Sequence, residues 1–137
     1  MPILNRAAEL QAEVSEWRRH LHANPELLYD VENTAAFVAA KLAEFGVDEI
    51  VTGIGRTGVV GVIKGRGTST RTIGLRADMD ALPLDEISGK PWSSQVPGLM
   101  HACGHDGHTA MLLACRMDLW QLRSTTTMSP GATVACH

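Results

Sequence analysis

Apolar and polar positions over the first 45 residues repeat with the period of an α-helix. Apolar side chains recur at spacings of three and four, which places them along one side of a helix. This pattern predicts a helix over residues 4–22, which Pro25 closes because the residue before a proline disfavours helical backbone. It predicts a second helix over residues 33–45, with Asn33 as its N-cap and Gly46 as its C-terminal stop.

The middle of the chain changes to the pattern of β-strands. Residues 49–52, 58–64 and 72–76 are rich in valine, isoleucine and threonine, which predicts three strands. A glycine- and threonine-containing loop over residues 65–70 predicts that the second and third strands are neighbours in a hairpin-like pair.

The last part of the chain predicts an irregular stretch followed by one more helix. Three prolines exclude long regular elements from residues 77–99. A helix is expected to begin near Asp106, and no clear periodicity follows Arg123. Its expected apolar stripe consists of Met111 or Leu112, Cys115 and Leu119. Helices, then strands, then a helix predict an α/β or α+β layered domain.

Composition and charge narrow the class of protein. A chain of 137 residues with 45% apolar and 20% charged residues is typical of one soluble globular domain. Its net charge of −3 and scattered basic residues argue against nucleic-acid binding, and no apolar run is long enough to cross a membrane. The N-terminus does not resemble a signal peptide, and the three cysteines form no regular framework. We therefore expect a cytoplasmic protein with free thiols.

One glycine motif resembles a nucleotide-binding fingerprint. Residues 53–58 read G-x-G-x-x-G, but a strand-like run follows where the fingerprint requires a helix N-terminus. A turn between two strands is the favoured interpretation, and we reject nucleotide binding.

Two acidic pairs follow the third predicted strand. Asp78 and Asp80 are two residues apart, so on extended backbone both would point to the same face. The alternative, two solvated loop acids, is equally compatible with the pattern. For Asp85 and Glu86 we favour the solvated interpretation.

The segment from Met100 to Thr109 concentrates candidate metal ligands. They are His101, Cys103, His105, Asp106 and His108. Thiolate and imidazole donors suit a transition metal better than calcium or magnesium. On extended backbone Cys103 and His105 would share a face, which suits ligation of one metal or of two neighbouring metals.

Other interpretations of this segment stay open on the residues alone. His101 or His108 would also serve as a hydrogen-bonding side chain or as a helix cap. Cys103 would also fit a buried thiol, or a nucleophile activated by His105, although such a histidine normally comes from across a cleft. A structural zinc site would need a second ligand pair, which the sequence does not show.

Four motifs occur in a characteristic order between Trp17 and about Ala114. They are WRRHLHANPEL at 17–27, VTGIGRTG at 51–58, LRADMDALP at 75–83 and MHACGHDGHT at 100–109. Together they resemble the aminoacylase and carboxypeptidase family of di-metal peptidases, peptidase family M20, in its amidohydrolase branch. That branch contains hippurate hydrolases, N-acyl-amino-acid amidohydrolases and auxin-conjugate hydrolases.

The resemblance implies a metal-dependent amidohydrolase that hydrolyses the amide bond of small N-acyl amino acids. It implies two divalent transition-metal ions per site (Zn, Mn, Ni or Co), with Cys103, as thiolate, and His105 as metal ligands. Asp80 would be the supporting aspartate of the catalytic centre. Asp78 stands where other branches carry a ligand histidine, so we assign it no metal. Full-length relatives are expected to be dimeric.

The resemblance also implies the fold, and it stops before the end of the chain. The implied fold class is α/β, the N-terminal part of a di-metal aminopeptidase-like catalytic domain with a mixed sheet flanked by helices and no lid or dimerisation domain. We interpret residues 1–114 as that part and residues 115–137 as an off-pattern tail, which a frameshift or a truncation would explain. The family's paired glutamates, one of them the general base, find no match. We therefore expect a fragment that is inactive alone, and the alternative is a non-catalytic metal- or thiol-binding remnant.

Overall fold

Three helices and a four-stranded mixed sheet make up the part of the chain that the computed structural model describes, residues 2–65, 72–125 and 131–136. In chain order the elements are α1 (Pro2–Ala23), α2 (Glu32–Glu44), β1 (Glu49–Ile54), β2 (Gly58–Ile63), β3 (Thr72–Ala77), α3 (His105–Thr125) and β4 (Gly131–Cys136). The sheet order is β1-β2-β4-β3, antiparallel except for the parallel pair β3 and β4. The predicted α/β architecture with a mixed sheet is confirmed.

The two predicted N-terminal helices are confirmed, but the predicted cap of the second is wrong. Val31 is the N-cap of α2 and makes no side-chain capping bond. The carboxylate of Glu26 instead accepts the backbone N–H groups of Asn33 and Thr34 at 3.1 and 2.8 Å. An acceptor from the preceding loop thus satisfies donors that have no partner within the helix itself.

The glycine motif forms the turn of an antiparallel hairpin, as its strand-like flanks predict. β1 and β2 pair through this turn, with Ile54 opposite Gly58 at its base. Gly55 has a φ of 61° and Arg56 a φ of 105°, both in the left-handed region. A strand rather than a helix follows the motif, so this segment offers no phosphate-binding helix N-terminus.

The predicted pairing of the second and third strands is wrong, because β4 lies between them. Residues 131–136 run antiparallel to β2 and parallel to β3. A central strand paired on both sides does not need to alternate polar and apolar residues, so its sequence carries no clear period. The predicted loop over residues 65–70 lies almost entirely outside the described residues. The predicted division of the chain after residue 114 falls inside α3 and stays a prediction.

The hydrophobic core lies where the helices pack against each other and against the sheet. Its buried side chains include Trp17, Val38, Leu42, Val59 and Leu113. The absence of a side chain at Gly61 allows Leu42 of α2 to approach β2, because a Cβ there would lie 3.2 Å from Leu42 Cδ1.

The predicted apolar stripe of α3 is only partly right. Leu112 is buried as predicted, together with Ala110 and Leu113, whereas Met111 and Cys115 are exposed. The side chain of Leu119 lies outside the described residues. Among the described helices, none is long and apolar enough to cross a membrane.

Candidate metal centre

The end of β3 and the start of α3 bring the candidate ligands together. Asp78 directly follows β3, and His105 is the first residue of α3. The hydroxyl of Thr109, one turn into α3, donates to the backbone carbonyl of Asp78 at 2.9 Å. The helix N-terminus is therefore fastened to the carboxyl end of a strand, which is the edge where α/β sheets commonly bind ligands.

The ring of His105 lies between the two aspartates and is oriented by Asp80. Its Nδ1 lies 2.9 Å from Asp80 Oδ1 and 2.9 Å from the Asp80 carbonyl oxygen, so Nδ1–H donates to Asp80. Its other ring nitrogen, Nε2, lies 3.8 Å from Asp78 Oδ2. Both aspartates are half-buried beside this ring rather than solvated loop acids.

Three residues offer ligand atoms within 4.8 Å of one another: Asp78, His105 and His108. Two imidazole nitrogens and a carboxylate oxygen form a donor set that suits Zn, Mn, Ni or Co. Arg76 Nη2 lies 2.7 Å from Asp78 Oδ1, which leaves Oδ2 directed towards His105. The residues that the structure describes here fit a divalent metal.

The structure places His108 in this group, which the sequence had left open. His108 is three residues after His105 on α3, so both side chains lie on one face of the helix, and their ring centroids are 5.5 Å apart. The i, i+3 spacing would have identified the pair once the helix start was known.

Cys103 lies outside this three-residue group. Its thiol is free and exposed. The backbone between Cys103 and His105 is not extended, because Gly104 has a φ of 86° and its carbonyl accepts the backbone N–H groups of Gly107 and His108. The shared-face argument from sequence therefore does not describe this turn, and ligation by Cys103 stays a prediction.

His101 is buried close to His22, and the centroids of the two rings are 6.3 Å apart. It is 4% exposed, and neither ring nitrogen has a hydrogen-bond partner among the described residues. Burial lowers the pKa of His101 below its usual value, so the ring favours its neutral form.

The expectation of a solvated acid is wrong for Glu86. Its side chain is 3% exposed, whereas Asp85 stays exposed as expected. Hydrogen bonds from the Ser88 hydroxyl and the Ser94 N–H lower the pKa of Glu86 from 4.5 to about 2, although burial opposes this shift. His22 adds a smaller effect in the same direction. The pattern of acidic residues does not distinguish Glu86 from Asp85, because the contact with His22 comes from 64 residues away in the chain.

Comparison with known proteins identifies the family. Residues 74–135 match the family model described as peptidase family M20/M25/M40. The chain is 52% identical over 113 residues to the hippurate hydrolase of Campylobacter jejuni, an alignment that covers 82% of this chain and 29% of that protein. It is 47% identical over 115 residues to the N-acyl-L-amino acid amidohydrolase of Geobacillus stearothermophilus, covering 84% and 30%.

A solved structure shares the fold as well as the sequence. The YXEP protein of Bacillus subtilis, described as a dinuclear metal-binding peptidase of the M20 family, superposes with a TM-score of 0.85 at 35% identity. That superposition covers 94% of this chain and 35% of the other. The chain thus spans about a third or less of each of these three proteins. Aligned identity, fold and the motifs around His105 agree, and the chain belongs to peptidase family M20/M25/M40.

Proposed function

We propose that this chain forms part of a metal-dependent amidohydrolase that hydrolyses the amide bond of N-acyl amino acids such as hippurate. The observation that carries the proposal is the orientation of His105, whose Nδ1 is held by Asp80 while its Nε2 faces Asp78. A histidine ligand whose other nitrogen donates to a carboxylate is the usual arrangement in protein metal sites. The names of the two curated relatives support the substrate class.

We propose His105 and Cys103 as metal ligands and Asp80 as the supporting residue that orients His105. Asp78 and His108 are the additional donors that the geometry supports. Two divalent transition-metal ions are proposed per complete site, in line with the description of the YXEP protein as dinuclear. When bound, such ions polarise the amide carbonyl and lower the pKa of a bound water. Zn, Mn, Ni and Co all suit these donors.

The proposed partner is a small N-acyl amino acid, and the proposed location is the cytoplasm. The described thiols, those of Cys103 and Cys115, are free, as expected in a reducing compartment.

A chimera tests the proposed activity. The 113 aligned residues of the Campylobacter hippurate hydrolase are replaced by those of this chain, and hydrolysis of hippurate is followed by release of glycine. We expect the chimera to hydrolyse hippurate and to lose at least about a hundredfold in kcat/KM with His105→Ala, because a removed ligand disrupts the metal site. His20→Ala, at an exposed histidine of α1, is the matched control.

The roles of Cys103 and Cys115 are separated in the same chimera. Cys103→Ala is expected to lower metal content and activity, whereas Cys115→Ala, whose thiol is also exposed, is expected to change neither. A folded chimera that binds metal but cleaves no N-acyl amino acid would contradict the proposed substrate class.

The alternative function is a non-catalytic metal- or thiol-binding role for the chain as it stands. It is favoured by the small share of the relatives' length that the chain spans, 29% for the hippurate hydrolase. Metal uptake by the 137-residue chain without hippurate turnover would support this role. Turnover by this chain that is lost in His105→Ala would instead show a complete catalytic site.

A further inference from the structure

A buried charged cluster joins α1 to the first turn of α3, beside the candidate ligands. The Asp106 carboxylate has no exposed surface, and its Oδ2 lies 2.7 Å from Arg18 Nε and 2.7 Å from His22 Nδ1. Arg18 and His22 are four residues apart on α1, so they lie on the same face of that helix. Two side chains of α1 therefore contact the carboxylate of Asp106 on α3.

The second ring nitrogen of His22 faces another buried carboxylate. His22 Nε2 lies 3.2 Å from Glu86 Oε1, and Glu86 Oε2 accepts the Ser94 N–H at 2.6 Å. His22 thus lies between the carboxylates of Asp106 and Glu86, both of which are buried. Burying a carboxylate whose donor has been removed costs a large amount of folding free energy. Removing one member of this cluster is therefore expected to destabilise the buried position of the others.

The contacts of the cluster hold Asp106, the residue that directly follows His105 in the chain. Asp106 belongs to the first turn of α3, whose first residue is His105. Asp80 fixes the His105 ring from one side, but it does not fix the backbone from which the ring projects. Arg18 and His22 supply that second constraint, because they hold the carboxylate of the adjoining residue.

We propose that Arg18 and His22 are positioning residues for the metal site, which hold Asp106 and thereby fix the first turn of α3 and the ring of His105. This role rests on the metal binding proposed above. Neither residue belongs to the group of candidate ligands, so both act through Asp106 rather than on the metal.

Cobalt titration of the 137-residue chain tests this role, because the visible absorption of Co²⁺ reports the geometry of its ligands. We expect Arg18→Ala and His22→Gln to bind Co²⁺ about 10- to 100-fold more weakly than wild type, with shifted absorption bands, as is typical when groups that orient a ligand are removed. Arg18→Lys, which retains the charge, is expected to recover part of the affinity. Urea unfolding of each metal-free variant establishes that the folded state is populated during the titration.

Arg19→Ala is the matched control. Arg19 is the neighbouring residue on α1, but it is exposed and its guanidinium lies over the Trp92 ring at 4.3 Å. Wild-type affinity and an unchanged spectrum are expected for this variant.

The outcomes separate this role from the proposed function. A wild-type chain that binds no Co²⁺ overturns the positioning role in this chain, but the proposed function is then still decided by the hippurate assay of the chimera. Wild-type binding with unchanged affinity and spectrum in Arg18→Ala and His22→Gln also overturns the positioning role. Should Arg18→Ala fail to fold, His22→Gln, which keeps an amide donor, decides the question.

Discussion

The two ring nitrogens of His105 face two different aspartates. Asp80 accepts from Nδ1–H, and Asp78 faces Nε2 from the end of β3. The sequence suggested both aspartates through their two-residue spacing, since side chains at that spacing share a face on extended backbone. It did not reveal which nitrogen each aspartate meets, because that depends on where α3 begins relative to β3.

Asp80→Asn is expected to weaken metal binding about 10- to 100-fold, because the neutral amide supports the His105 ring less well than a carboxylate does. The metal affinity of each variant is measured by its competition with a chromophoric chelator for the metal ion. Asp85→Asn is the matched control, since its exposed carboxylate accepts the Gly98 N–H at 2.7 Å and lies outside the group of ligands. Equal affinities for the two variants would contradict the role of Asp80.

At the scale of elements, local pattern decides most of the structure. α1, α2 and the β1–β2 hairpin follow from apolar spacing and from the glycine turn, both of which act within a few residues. The hairpin depends on close approach at Gly58, where a Cβ would lie 2.5 Å from the Ile54 carbonyl oxygen.

Gly58→Ala is therefore expected to lower the free energy of unfolding by about 1–3 kcal/mol, because the strand backbone must shift to accept the methyl group. Urea unfolding measures the change. Gly74→Ala in β3 provides the comparison, since a Cβ there meets nothing within 4 Å. A cost at Gly74 as large as that at Gly58 would show that loss of glycine itself, rather than the contact, is responsible.

At the scale of the whole molecule, buried charges connect segments that are distant in the chain. His22 contacts Asp106 across 84 residues and Glu86 across 64 residues. These contacts fasten α1 to the irregular segment after β3 and to the start of α3, so they hold together the parts that carry the candidate ligands.

Glu86 predicts a specific dependence of stability on pH. Its pKa in the folded state is lowered to about 2 from 4.5, so the unfolded chain binds the proton more tightly. The carboxylate therefore contributes stability above pH 4.5, and this contribution is lost as the pH falls towards 2.

Urea unfolding of wild type and Glu86→Gln between pH 6 and about pH 3 measures this contribution. The difference in unfolding free energy between the two proteins is expected to shrink as the pH falls. A difference that stays constant over this range would contradict the lowered pKa.

Local residue patterns were enough to predict the first two helices, three strands, the hairpin turn and the candidate ligands of the family motif. Each of these depends on residues that are near one another in the chain. The tertiary structure alone decided the insertion of β4 between β2 and β3, the capping of α2 by Glu26 and the burial of Glu86. It also brought His108 together with Asp78. The capping of α2 involves an acceptor only seven and eight residues away, in the preceding loop. The other features require distant segments to come together, and local periodicity does not indicate which distant group a strand or a carboxylate will contact.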